Sequence, residues 1–194
     1  MDYRNLGRAG LKVSEICLGT MTMGNGADQA ESSRMVDTAL ASGLNFFDTA
    51  NSYVQGTSET MLGVALKGKR HEAVIASKFF NPMGHRPNDS GTSRLHIKQQ
   101  IEGILKRLQT DYIDVYQVHR LDPYTPIEET MYTLDQIVRS GKVRYIGGST
   151  MPAYRFAQMC MLADWKGYAR FIGERPSAQR IVADRQANPK PPRP

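Results

Sequence analysis

The chain has 194 residues, of which 40% are hydrophobic and 23% charged, the composition of one globular domain rather than of a disordered or fibrous chain. Its formal net charge is +6, but no basic stripe interleaved with aromatic residues indicates nucleic-acid binding. No apolar run reaches the roughly 18 residues of a membrane span, and no apolar signal segment opens the chain, so we expect a cytoplasmic protein.

Strands are predicted at regular intervals along the chain. Two short amphipathic segments, residues 3–6 and 11–13, flank a turn with two glycines and predict an N-terminal β-hairpin. Short apolar runs between turn signals predict six further strands. These strands are expected at residues 16–18, 44–47, 74–77, 112–118, 143–147 and 170–173.

Amphipathic helices are predicted between the strands, at residues 28–42, 58–67, 93–108, 126–140 and 152–166. Asp28, with Glu31 three residues later, is typical of a helix N-cap and begins the first of them. Thr125, Pro126 and Glu128 predict a capping box with proline at the first helical position of the fourth helix.

Strands separated by single helices indicate β-α crossovers and therefore a parallel sheet. Both an open doubly wound sheet and a closed (β/α)8 barrel fit this pattern. The doubly wound sheet normally carries G-x-G-x-x-G after an early strand, and the glycines of GTMTMG at residues 19–24 have the wrong spacing. A TIM-type (β/α)8 barrel is therefore favoured, with the hairpin across its bottom.

The last 21 residues have a different composition. Residues 174–194 hold five of the ten prolines, and five basic against two acidic side chains supply +3 of the +6 charge. Such a segment buries too little apolar surface to offset its ordering entropy. We expect one domain over residues 1–173, followed by a Pro/Arg-rich and mostly disordered tail.

Polar residues follow four successive predicted strands. They are Asp48, Lys78, His119 and Ser149. Because the active site of a β/α barrel lies at the C-terminal ends of its strands, these side chains are expected at one rim, with Tyr53 in a loop above it. Each of them alone also fits a plain structural role, such as a turn former, an edge charge or a cover for the barrel mouth.

Together, these residue types suit proton delivery to a carbonyl group that accepts a hydride. A phenol is a poor acid at neutral pH, and a neighbouring ammonium favours its ionised form. Lys78 can do this for Tyr53 while Asp48 keeps Lys78 charged and oriented. His119 can donate a hydrogen bond to the carbonyl oxygen.

The remaining cysteines and histidines are not predicted to form a site. Cys17 and Cys160 lie in apolar strand-like and helix-like runs without metal-ligand spacing, so neither a disulfide framework nor a zinc site is expected. His71, His85 and His96 are expected in polar loop or helix-surface positions.

Four segments together resemble one known family. GLNFFDTANSYVQGTSETMLGVAL (residues 43–66), VIASK (74–78), DYIDVYQVHR (111–120) and GKVRYIGGST (141–150) are similar to the aldo-keto reductases in motif, order and spacing. The resemblance extends over about residues 3–171. It implies a (β/α)8 barrel that reduces aldehydes and ketones with NADP(H), and the chain also resembles the longer microbial and fungal members that act on aryl alcohols and aldehydes.

The resemblance also implies roles for individual residues. Tyr53 matches the proton donor, Lys78 and Asp48 its tuning pair, and His119 the substrate-binding residue. Asp48 and the turn Gly19, Thr20 and Met21 match positions beside the nicotinamide ribose. Ser149 matches the carboxamide-binding serine, whereas Thr150 stands where most members have asparagine.

The family pattern stops after residue 171. Nothing resembling strands seven and eight follows, and six β/α units are about two short of a typical barrel of about 250 residues. The sequence therefore predicts a C-terminally truncated family member whose activity is open. The alternative is an inactive product of the same family that acts at most as an interaction partner, with self-association through open sheet edges. We expect no nucleic-acid or membrane partner.

Overall fold

A parallel sheet wrapped by helices forms the body of the molecule, and a computed structural model describes it over residues 1–175. The chain opens with an antiparallel hairpin of β1 (Tyr3–Asn5) and β2 (Lys12–Ser14). Six parallel strands follow: β3 (Leu18–Gly19), β4 (Phe46–Asp48), β5 (Val74–Phe79), β6 (Ile113–Val118), β7 (Val143–Ser149) and β8 (Phe171–Arg175). The helices are α1 (Gln29–Ala41), α2 (Thr57–Ala65), α3 (Arg94–Leu108), α4 (Ile127–Arg139) and α5 (Ala153–Lys166).

The strand order confirms the barrel-type architecture. The sheet runs β3-β4-β5-β6-β7-β8, and each strand pairs in parallel with the next one along the chain. A doubly wound sheet would instead reverse its order at a switch point. The six strands therefore form a continuous arc with β3 and β8 at its two ends.

The core lies between this arc and the outer helices. All residues of β5 and β6 are buried, as expected for parallel strands covered on both faces. The helical spacing predicted for α3 is confirmed, because its apolar stripe is buried against the sheet. The stripe consists of Ile97, Ile101, Ile104, Leu105 and Leu108.

The N-terminal hairpin lies at the bottom of the arc, as expected. The Ser14 backbone N–H donates to Asn45 Oδ1 at 2.8 Å, just before β4 begins. The Arg8 backbone N–H donates to the Ile172 carbonyl on β8 at 2.9 Å. The hairpin thus ties the first part of the arc to its last described strand.

Helix α1 begins as predicted, whereas α4 does not. The Asp28 carboxylate accepts a hydrogen bond from the Glu31 backbone N–H at 2.8 Å. The capping box predicted for α4 is wrong, because Pro126 occupies the N-cap position without a side-chain cap. The Thr125 hydroxyl, which was expected to cap, donates to Asp122 at 2.8 Å instead.

Three other expectations need correction. His96 is fully buried rather than on the helix surface, and Cys17 is exposed and lies just before β3, which begins at Leu18. Strand β8 extends to Arg175, two residues past the end predicted for this strand at residue 173. The remaining part of the predicted disordered tail, residues 176–194, lies outside the described residues.

In the described part of the chain, no helix is both long and apolar enough to cross a membrane.

Candidate active site

The strand ends carry the predicted polar side chains to one rim of the arc. Asp48 is the last residue of β4, Lys78 lies near the end of β5, His119 follows β6, and Ser149 ends β7. Since the four strands are parallel and adjacent, their C-terminal ends form one continuous edge.

Lys78 is at the centre of this group. Its side chain is fully buried, and its Nζ donates to Asp48 Oδ1 at 2.6 Å and to the Thr49 carbonyl at 2.7 Å. The third contact of Nζ is the Tyr53 hydroxyl at 3.4 Å. The three hydrogens of the ammonium group are therefore all directed at oxygen atoms, and Asp48 neutralises the buried charge.

An unusual backbone follows Tyr53. Tyr53 begins a 3-10 turn, Tyr53–Gly56, in which Val54 and Gln55 have left-handed φ values of 48° and 52°. Non-glycine residues rarely adopt this conformation, and clusters of it are typical of functional sites. The centre of the Tyr53 ring lies 5.0 Å from Lys78 Nζ, and the ring is edge-on to His119, with 6.2 Å between the two ring centroids.

A buried polar layer supports the strand that carries Lys78. Glu59 on α2 is fully buried, and it accepts hydrogen bonds from the Ser77 hydroxyl and from Arg107 Nε, the latter at 2.7 Å. Burial raises the pKa of Glu59, while the positive charge of Arg107 and the hydrogen bonds lower it. Ser77 directly precedes Lys78, so this layer anchors β5 on the side that faces the helices.

This layer and the contacts of Asn81 were not predicted from the sequence. Glu59 lies three residues before the apolar Leu62 on α2, and this spacing was a signal that its side chain faces the core. Asn81 follows Lys78 by three residues at the end of β5, and its amide contacts both Ser52 and His119. Its position after a strand was the same signal that identified Lys78.

The predicted cofactor-binding residues are brought together only in part. Gly19 pairs with Asp48 across β3 and β4, and the Thr20 backbone N–H donates to the Asp48 carbonyl at 3.0 Å. The Thr20 side chain is buried, and its hydroxyl is 2.8 Å from that of Ser58. Met21 is 63% exposed.

Ser149 and Thr150 lie on the opposite side of the rim from Gly19, at the end of β7. The Ser149 side chain is buried, and its hydroxyl lies 3.4 Å from that of Thr150. Thr150 is exposed and has a left-handed φ of 52°. The buried serine is thus held at the strand end, and the threonine turns the chain away from it.

A cavity of about 410 Å³ lies inside the arc, below this rim. Asp48, Gly19, Gln117 and Gly147 contribute to its wall. The Gln117 Oε1 atom is buried without a hydrogen-bond partner, and a Cβ atom added at Gly19 would meet nothing within 4 Å. The cavity therefore offers free space beside Asp48 and one polar atom, Gln117 Oε1, that can still accept a hydrogen bond.

Neither a metal cluster nor a disulfide is present in the part of the chain that the structure describes. No group of three or more His, Cys, Asp or Glu side chains there could hold a metal ion. The thiols of Cys17 and Cys160 are not joined to each other.

Comparison with known proteins identifies relatives of this chain. Residues 15–172 match the family model described as the aldo/keto reductase family. The uncharacterized oxidoreductase YrpG of Bacillus subtilis is 41% identical over 185 residues, which cover 89% of this chain and 56% of the relative. Versiconal hemiacetal acetate reductase of Aspergillus parasiticus is 37% identical over 198 residues, with 89% and 57% covered.

A third relative is norsolorinic acid reductase of Aspergillus flavus, which is 38% identical over 178 residues. These residues cover 84% of this chain and 46% of the relative. The chain therefore spans about half the length of the curated relatives it matches.

Proposed function

Because the chain belongs to the aldo/keto reductase family, we propose that it reduces the carbonyl group of an aldehyde or ketone, or catalyses the reverse alcohol oxidation, with NADP(H). The observation that carries this proposal is the buried Lys78 ammonium, whose Nζ contacts both the Asp48 carboxylate and the Tyr53 hydroxyl. An ammonium beside a phenol favours loss of the phenolic proton. Tyr53 is therefore the residue we assign as proton donor.

The chain's own residues account for the proton transfer. The Tyr53 O–H bond breaks as its proton moves to the carbonyl oxygen, which gains negative charge during reduction. Lys78 stabilises the phenolate that remains, and Asp48 holds Lys78 in place. His119 donates a hydrogen bond that aligns the same oxygen. In the oxidation direction the proton returns from the alcohol to Tyr53.

The residues at the rim fit the nicotinamide end of the cofactor, which when bound supplies or accepts the hydride. The space beside Gly19 and Asp48 and the unpartnered Gln117 oxygen in the cavity support a ligand at this position. In this proposal Asp48 binds the ribose side, and the buried hydroxyl of Ser149 binds the carboxamide. Family members generally use NADP(H), which is why we assign this cofactor.

A tyrosine-to-phenylalanine substitution tests the proposed proton donor. We expect Tyr53→Phe to lower the rate of aromatic aldehyde reduction by about 100-fold or more, because the proton donor is lost. The rate is measured as NADPH consumption, and cofactor affinity by fluorescence titration is expected to stay the same. Tyr154→Phe is the matched control, since Tyr154 is exposed on the distant helix α5. Unchanged turnover in Tyr53→Phe would contradict the proposal.

A second candidate function is a non-catalytic role as an interaction partner. Strands β3 and β8 end the arc, and in the described residues neither has a further strand on its outer side. Unpaired strand edges are templates for association with another chain. If the fluorescence titration detects no NADPH binding, this second function is favoured.

A further inference from the structure

Asn81 connects the two loops that carry Tyr53 and His119. It lies just beyond β5 and is half-buried. Its Nδ2 donates to the Ser52 hydroxyl oxygen at 2.9 Å and lies 3.4 Å from His119 Nδ1. One amide group thus contacts the residue before Tyr53 and the ring of the histidine.

The backbone before Asn81 fixes the position of this amide. Phe80 has a φ of 142°, a value that is rare for a residue with a side chain. Its carbonyl accepts a hydrogen bond from the Gly91 backbone N–H at 2.8 Å. Strained conformations of this kind persist only where the surroundings enforce them. The bend at Phe80 directs the chain from the end of β5 along the rim.

The chemistry of the amide determines which ring nitrogen of His119 carries the proton. An amide nitrogen has two hydrogens and cannot accept a hydrogen bond. One hydrogen of Asn81 Nδ2 is used by Ser52, so the other is available for His119 Nδ1, which must then be the acceptor. A neutral imidazole that accepts at Nδ1 carries its proton on Nε2.

We propose that Asn81 is a positioning residue that holds His119 in the Nε2–H tautomer, so that the ring donates to the substrate carbonyl oxygen through Nε2. This role in reduction rests on the proposed function. The distance of 3.4 Å from Asn81 Nδ2 to His119 Nδ1 is at the long end of hydrogen-bond lengths. The rings of Tyr53 and His119 are 6.2 Å apart, which allows both donors to reach one oxygen.

Nitrogen-15 NMR of histidine-labelled protein tests the tautomer directly. In the wild-type chain we expect the His119 signals of a protonated Nε2 and an unprotonated Nδ1, assigned by their loss in His119→Ala. In Asn81→Asp the new carboxylate can only accept, so we expect the proton on Nδ1. In Asn81→Leu we expect a mixture of both tautomers. A wild-type signal with the proton on Nδ1 overturns the proposal, whether or not the variants fold.

Kinetics provide the second measurement. We expect Asn81→Asp to lower kcat and kcat/KM for aldehyde reduction together by at least about tenfold, since the lost donor acts on the reacting oxygen. The matched control is Asn88→Asp, because Asn88 is exposed and lies on the same connection between β5 and α3. It is expected to keep wild-type kinetics.

The two measurements separate the two proposals. If every form is inactive but the NMR signals shift as described, the proposed function is wrong and the positioning role of Asn81 stands. If the enzyme is active and the His119 tautomer is the same in wild type, Asn81→Asp and Asn81→Leu, the positioning role is wrong.

Discussion

At the level of single residues, buried charge determines how the candidate site is held. Lys78 and Glu59 are both fully buried, and each has one charged partner, Asp48 and Arg107 respectively. The two groups are linked through Ser77, which precedes Lys78 and donates to Glu59. The site therefore depends on an ion pair behind the sheet as well as on the one at its rim.

Removal of Arg107 is expected to reveal the cost of the buried Glu59 charge. We expect Arg107→Met to lower the free energy of unfolding by about 3 kcal/mol at about pH 8, because it leaves an unpaired buried carboxylate. Burial already raises the pKa of Glu59, and loss of the arginine raises it further. A carboxyl group whose pKa is higher in the folded than in the unfolded protein lowers the stability as the pH rises above its unfolded pKa. The destabilisation by Arg107→Met should therefore be smaller at about pH 5 than at about pH 8.

Urea unfolding at both pH values measures this difference. Arg4→Met is the matched control, since the Arg4–Glu15 pair is exposed and its loss should cost no more than about 1 kcal/mol at either pH. An equal destabilisation by Arg107→Met at both pH values would contradict the role assigned to Glu59.

The sequence was sufficient to locate some site residues but not their contacts. Asp48, Lys78 and His119 lie at or just after the ends of apolar strands, and the parallel arrangement alone places them at one rim. The left-handed Val54 and Gln55, in the turn that begins with Tyr53, have no glycine-like sequence signal, and the contact between Tyr53 and Lys78 has no local signal either. The catalytic and cofactor roles of these residues stay predictions.

At the level of helices and strands, local signals predicted elements well where no tertiary contact competed. Asp28 caps α1 as its sequence context indicates. Thr125 has the same kind of context, but the nearby Asp122 binds its hydroxyl. Hydrogen bonds from the backbone N–H groups of Tyr124 and Thr92 to Asp122 lower the pKa of this carboxyl, against the opposing effect of burial.

The burial of His96 has a similar origin. The first turn of α3 lies against residues of the connection from β5 to α3. Burial lowers the pKa of His96, whereas a hydrogen bond with the backbone of Asn88 and the charges of Asp89 and Asp122 raise it. Helical periodicity predicts which face of α3 meets the sheet. It contains no information about a loop that covers the end of the helix.

The Asp28 cap is a direct test of this local reasoning. We expect Asp28→Ala to lower the free energy of unfolding by about 1 kcal/mol, because the Glu31 backbone N–H loses its acceptor. Asp28→Asn is the matched control, since its side-chain oxygen can still accept that hydrogen bond. Chemical denaturation measures both, and equal stability of Asp28→Ala and wild type would contradict the assigned cap.

At the level of the whole molecule, the N-terminal hairpin joins distant parts of the chain. Gly7 makes this possible, because its φ is 56° and a Cβ atom there would lie 1.8 Å from the Ile172 carbonyl oxygen. The Arg8 N–H bond to the same carbonyl depends on this close approach. The turn residues predicted the hairpin, but its docking on β8 involves residues far apart in sequence and had no local signal.

Two glycines of this turn provide a matched pair for a stability test. We expect Gly7→Ala to lower the free energy of unfolding by about 2 kcal/mol or more, through backbone strain and the clash with Ile172. Gly10→Ala should have little effect, since a Cβ at Gly10 meets nothing within 4 Å. Thermal and urea unfolding measure both variants, and equal losses would show that the contact between hairpin and β8 does not stabilise the fold.

The sequential strand order has a consequence for how the site forms. Asp48, Tyr53, Lys78 and His119 all come from the ends of β4, β5 and β6, which are neighbours both in the sheet and along the chain. Contacts between sequence neighbours close only short loops and form early. The contacts of Lys78 with Asp48 and Tyr53 thus need only β4, β5 and the loop after β4, and His119 adds only β6, so none of these contacts requires β7 or β8.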